Sequence, residues 1–167
     1  VNLLRVAAIL ACAVASRRSP AFGAAAVGLG GDELAAFTAE HIPLAWHLAP
    51  SVALGSAVAA SHGARSRLPF LVFPLQRTWA AIGDTSNHVL TALASYACAL
   101  TVLLWSRRRR DAGQIAVTLF VSGNIAACTL AMFVGVSAAY TSGVVWASNA
   151  VTHIVIIGLA VWTLRAR

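Results

Sequence analysis

The sequence predicts an all-α integral membrane protein, a four-helix bundle with an additional apolar segment at its N-terminal end. Three observations carry that prediction. Of the 167 residues, 59% are hydrophobic and 10% charged, with a mean hydropathy of +0.80, outside the balance of a soluble globular domain. Four apolar runs have lengths near the roughly 20 residues a helix needs to cross a bilayer. The basic residues, finally, are all arginines, giving a formal net charge of +7, and they gather at the ends of apolar runs as flanking anchors do.

In chain order, residues 1–15 hold Arg5, the apolar core VAAILACAVA and an Ala-x-Ala at Ala13 and Ala15, the form of a secretory signal. The absence of acids before Asp32 suits a transit peptide equally, and a retained signal anchor is the third option. Residues 16–43 are rich in Gly and Ala, contain Asp32, Glu33 and Glu40, and end at Pro43; they read as an extramembrane linker or short helix. The transmembrane domain covers 44–167, with spans at about 44–61, 86–106, 114–139 and 142–164. Pro50 lies inside the first span, where neighbouring helices can satisfy the carbonyl it frees. Residues 62–85, broken by Pro69, Pro74 and Arg77, read as an interfacial or re-entrant segment with Phe70, Phe73 and Trp79 at headgroup level.

The arginines orient the bundle. Arg107, Arg108, Arg109 and Arg110 follow the second span, Arg165 and Arg167 follow the fourth, and the uncharged AAYTSG joins the third to the fourth. Both arginine groups belong on the cytoplasmic side, or on the matrix or stromal side of an organellar inner membrane, with the plasma membrane favoured. If the four spans simply alternate, Arg65, Arg67 and Arg77 fall on the opposite side, so either that stretch dips back into the interface or the first span is misplaced.

Polar residues inside the spans are the candidate site. His153 lies at the centre of the last span, with Asn149 one turn away and Trp146 on the same face. Asn124 is central in the third span, with Cys128 one turn on, and Tyr96 is central in the second between Ser95 and Cys98. Uncompensated polar groups are costly in hydrocarbon, so these faces should turn inward and form a polar layer at the midplane, as register-fixing hydrogen bonds, a small-molecule pocket or a proton path. None of the four spans contains Asp or Glu, which argues against a conventional proton pump. His88 follows Asp84, Thr85, Ser86 and Asn87, each a capable helix cap; it either starts its helix or acts as acid or base at the mouth of the bundle.

Other chemistries are poorly served. His88 and His153 differ in depth by about 13 Å at 1.5 Å per residue, too far for the two axial ligands of one haem. A single-ligand haem or a quinone near His153 survives that test. Cys12, Cys98 and Cys128 show neither CxxC spacing nor a disulfide framework and read as small apolar side chains, and no metal-ligand spacing stands out. No Ser-His-Asp arrangement, Walker loop, HExxH or dinucleotide fingerprint occurs. Without a basic face interleaved with aromatics, nucleic acid is excluded as a partner.

Two stretches, RTWAAIGDTSNHVLTALASY from Arg77 to Tyr96 and WASNAVTH from Trp146 to His153, resemble the small four-helix membrane proteins related to anthrone oxygenases. The chain differs from that family's pattern at Gly83 and Ser86 before the second span and at Thr152, three residues after Asn149. The resemblance implies a cofactor-independent oxygenase acting on an apolar polycyclic phenol that enters from the bilayer. His88 and His153 would then deprotonate the substrate, while Asn149, Asn124, Tyr96 and Trp146 line its site. The alternatives are a membrane anchor or accessory subunit of a larger, respiratory-type complex contacting quinone or haem, and a structural membrane protein without catalysis. Expected partners are the bilayer, an apolar small molecule, and either a second copy or other membrane subunits.

Overall fold

A computed structural model describes residues 3–38, 45–62, 88–106 and 111–166, and within them the side chains of 36–38, 45–47, 62, 88, 137 and 140 are not described. Helices form along the runs rich in Ala, Leu, Val and Ile: α1 (Leu3–Ala15), α2 (Pro20–Thr38), α3 (Ala45–His62), α4 (His88–Trp105), α5 (Ala112–Val134), the short α6 (Val136–Thr141) and α7 (Gly143–Arg165). No strand occurs among the described residues. Two of these helices, α5 and α7, are long and apolar enough to cross a membrane; α3 and α4 carry shorter apolar stretches. The expected interfacial segment at 62–85, with Phe70, Phe73 and Trp79, falls almost wholly outside the described residues.

Local chemistry sets the helix ends. Pro20 opens α2, where its missing N–H costs nothing because first-turn N–H groups have no intrahelical partner. Asp111 caps α5, its Oδ1 accepting from the Gln114 backbone N–H at 2.8 Å, and Ser142 caps α7 by accepting from Val145 N–H at 3.3 Å. The third span was expected to continue to 139, but α5 stops at Val134. Gly135 takes φ +85°, a backbone that L side chains rarely adopt, so α5 ends there and α6 starts at the next residue. Pro50 sits within α3 without ending it.

The segment read as a linker or short helix is, over Pro20–Thr38, a full helix at the centre of the packing, with Phe22, Ala25 and Leu29 fully buried. Residues 3–15, read as a targeting segment, also pack into the bundle through Ala8, Cys12 and Ala15. The helices form two four-helix units that share an edge. In one, α1, α2, α5 and α7 pack in a ring; in the other, α2, α3, α4 and α5 do; the α2–α5 contact is common to both.

Hydrogen bonds between helices establish which ends coincide. Ser19 Oγ donates to Asp111 Oδ2 at 2.8 Å, so α2 and α5 start together. Gln114 Nε2 donates to the Ala60 carbonyl at 2.8 Å, bringing the end of α3 to the same place. Ser61 Oγ donates to the Val102 carbonyl and Ser106 Oγ to the Ser61 carbonyl, so α3 and α4 run parallel. Simple alternation of the spans therefore fails at this point, and α3 ends on the arginine side. The 25 residues between them are long enough to return along the bundle. Arg17 and Arg18 after α1, the Ser106 and Asp111 that flank four arginines, and Arg165 of α7 all lie at this one end.

Asp111 joins two of these contacts, the cap and the Ser19 bond. Asp111→Ala is expected to lower stability by about 1–2 kcal/mol, and Asp111→Asn by less because the amide oxygen still caps. Thermal unfolding of the purified protein in detergent measures both.

Candidate functional site

Counting along the helices sets a common depth. Gly123 of α5 faces Thr152 of α7, so Asn124 and His153 are level, each near the centre of a 23-residue helix about 34 Å long. Gly28 of α2 faces Phe120 of α5, which places Asp32 and Glu33, one turn further on, at the level of Asn124. Arg5 of α1 reaches that level from the antiparallel neighbour.

Here the structure assembles a charged cluster that sequence reasoning missed. Arg5 Nη1 donates to Glu33 Oε2 at 2.9 Å and lies 3.2 Å from Asp32 Oδ2. None of the three side chains is more than 24% exposed. One guanidinium nitrogen thus serves two carboxylates, an arrangement that holds α1 against the far half of α2. The four runs expected to span hold no acid, but the segment expected as a linker or short helix carries Asp32 and Glu33 on a helix packed at the centre of the bundle. A signal for the cluster was present, since a lone Arg in one apolar run and an adjacent acidic pair in another need each other when both runs are buried. Arg5 was instead assigned to a targeting segment and the acids to a linker.

His153 belongs to the same neighbourhood. It is only 4% exposed, and the charges of Arg5 and Glu33 act on it. Its Nδ1–H donates to the backbone carbonyl of Asn149, one turn earlier. A carbonyl only accepts, so the proton of the neutral ring sits on Nδ1 and the Nε2 lone pair is left to accept from another group or take up a proton. On α5, Asn124 Nδ2 donates to the Phe120 carbonyl at 3.1 Å, leaving its Oδ1 as an acceptor, and Cys128 is buried where the charge of Asp32 reaches it. All four helices of the α1/α2/α5/α7 unit therefore contribute to one polar layer.

The other expected residues are placed as follows. Asn149 is half-buried and joined to His153 through its backbone. Tyr96 is buried, but α4 packs on α3 and α5 whereas α7 packs on α1 and α5, so Tyr96 belongs to the other four-helix unit. Trp146 shares a helical face with His153 yet is 70% exposed. Among the described residues, the 13-residue α1 extends about 20 Å along α7, from the arginine end to near the level of His153, and does not reach Trp146. Trp146 therefore does not line the interior. His88 begins α4, and its side chain lies outside the described residues. Among the described residues no group of three His, Cys, Asp or Glu side chains is arranged to hold a metal ion.

Comparison of the chain with protein-family models, with curated proteins and with solved structures found no match.

Proposed function

We propose that this chain is a multi-pass integral membrane protein of the plasma membrane, with its arginine-rich end toward the cytoplasm, and that its mid-depth layer carries out proton transfer on an apolar substrate. Support for the membrane setting comes from the outer surface. Along α7, Val144, Val151, Ile154, Val155 and Val161 face outward, an apolar exposure that a water-soluble helix avoids. Large aromatics sit at both rims: Trp105 and Trp162 toward the arginine end, Phe133 and Trp146 toward the other. Trp146 and Trp162 are 16 residues apart, about 24 Å along the helix, comparable with the roughly 30 Å of bilayer hydrocarbon and its interfacial aromatic belts.

The observation that carries the chemistry is His153, buried at mid-depth with Nδ1 committed to Asn149 and Nε2 left to accept a proton. Following the resemblance to anthrone oxygenase-like proteins, the substrate is a polycyclic phenol with an acidic methylene. Nε2 removes a methylene proton, the resulting carbanion is oxidised by dioxygen, and the net change is CH2 plus O2 to C=O plus water, without a resident cofactor. Asn124 and Asn149 supply hydrogen bonds to the substrate oxygens, and His88 is the second acid–base candidate.

The test is oxygen-dependent turnover of an anthrone by the purified protein in lipid vesicles. Turnover by the wild type and a loss of about 100-fold or more in His153→Gln are expected, the range typical of a lost general base. An unchanged rate in that variant removes His153 from the role, and a wild type without turnover removes the reaction. A haem absorption band, or stoichiometric partner subunits on purification, would favour the anchor-subunit alternative.

A further inference from the structure

The outer seam between α1 and α7 is an apolar groove with a basic end. The two helices pack side by side, and both run from mid-depth, marked by Arg5 and His153, toward the arginine end. Thr152 turns α7 toward Gly123 of α5, and Arg5 turns α1 toward α2. Going round each helix at about 100° per residue, away from those contacts and past the face each presents to the other, reaches Ile154 and Val161 on α7 and Ala7 and Val14 on α1. All four are exposed, and so is Gly158, whose missing side chain leaves open space within 4 Å. From Arg5 to Arg17 the groove is about 18 Å long, close to one leaflet of a bilayer whose hydrocarbon is about 30 Å thick. Arg17 and Arg18 stand in the turn that follows α1. Arg165 lies twelve residues beyond His153, as Arg17 lies twelve beyond Arg5, so the three reach the same level. All three are exposed, and none forms an ion pair with a described residue. Asp111, the described acid at this end, already accepts from Ser19 Oγ and the Gln114 N–H. Trp162, one turn before Arg165, is 65% exposed at the depth where indole rings favour the headgroup region.

We propose that this groove binds one acidic phospholipid of the leaflet on the arginine side, with its phosphate held by Arg17, Arg18 and Arg165 and an acyl chain laid along Val14 and Val161 toward Ala7 and Ile154. Charge complementarity selects the occupant. A guanidinium presents its N–H groups as a planar fork that matches two phosphate oxygens, and basic residues at a membrane surface attract anionic headgroups. A zwitterionic lipid carries its own ammonium to the same place, and a second copy of the chain brings the same arginines. A free phosphate fills the basic end and leaves the apolar length of the groove unused. The inference rests on the membrane setting proposed above and is independent of the chemistry assigned to His153.

Native mass spectrometry of the full chain released from detergent micelles counts bound lipid directly. With dioleoyl phosphatidylglycerol and dioleoyl phosphatidylcholine titrated separately, one phosphatidylglycerol should be retained at concentrations where phosphatidylcholine is not. Each single change of arginine to glutamine should weaken that binding about fivefold, and Arg17→Gln, Arg18→Gln and Arg165→Gln together about 100-fold. The unfolding midpoint of the triple variant should match the wild type, because all three side chains are exposed. If it falls, Arg165→Gln alone decides. Equal retention of the two lipids would overturn the proposal, as would a triple variant that holds phosphatidylglycerol as the wild type does. Displacement of the lipid by excess inorganic phosphate would assign the arginines to a free anion, and a lipid-free dimer would assign the groove to a second copy; either result overturns it too. A chain that stays monodisperse in buffer without detergent would remove the membrane reading itself, which is a separate result from indifference to the headgroup.

Discussion

Arg5→Met is expected to destabilise the protein by about 3–5 kcal/mol at neutral pH, the cost of removing one partner from a buried ion pair and stranding the others. The loss is large because Arg5 Nη1 contacts both Asp32 and Glu33, so a single substitution removes a positive charge from two mostly buried carboxylates at once. It should shrink as the pH falls, since protonation removes the stranded negative charges. Replacing all three residues together, Arg5→Met with Asp32→Leu and Glu33→Met, is expected to restore much of the stability, because no charge then remains to desolvate. Thermal unfolding in one detergent across a pH series separates these cases. A single variant as stable as the wild type would mean that the cluster is reached by water.

Gly113→Leu is expected to separate α2 from α5. A Cβ built on Gly113 lies 2.7 Å from the backbone nitrogen of Phe22 and 2.8 Å from Cβ of Ala21, closer than real Cβ atoms approach. Backbone cannot rotate away as a flexible side chain can, so the whole start of α2 must move. Overpacking of this kind costs about 1–3 kcal/mol, and more for a branched side chain against main chain. Because α2 also carries Asp32 and Glu33, about 15 Å further along the helix from the Phe22 contact, this substitution should also loosen the ion pairs to Arg5. Gly158→Ala is the matched control: its Cβ meets nothing within 4 Å, so normal stability is expected. Equal unfolding midpoints for Gly113→Leu and the wild type would show that the α2–α5 seam is not closely packed.

The parts of the fold readable from the sequence are those that depend on neighbours in the chain. Alanine- and leucine-rich runs become helices, Asp111 and Ser142 cap two of them, and the regions expected to span correspond closely to α3, α4, α5 and α7. The Asn149–His153 relation was likewise visible, because residues four apart lie on one helical face and the ring bonds the carbonyl a turn behind it. The level of Asn124 followed from its place at the centre of a helix. The end of α5 was missed because a glycine in an apolar run is compatible with helix, and only its positive φ shows that this one breaks it.

What the residues themselves could not disclose is which helices meet. Arg5 and Glu33 are 28 positions apart, and their pairing exists only because α1 folds back along α2 through the turn at Ser16–Ser19. Tyr96 and His153 are both buried, yet the packing of α4 and α7 on different neighbours assigns them to different units. Trp146 is on the expected face and still outside, because exposure depends on how far α1 reaches. The sequence by itself therefore determined helical character, the apolar exterior and the depth of His153, all of which arise from local periodicity and composition. The tertiary structure alone decided that a mid-depth histidine shares its layer with one arginine and two acids, because pairing across helices is governed by the geometry of packing and not by spacing along the chain.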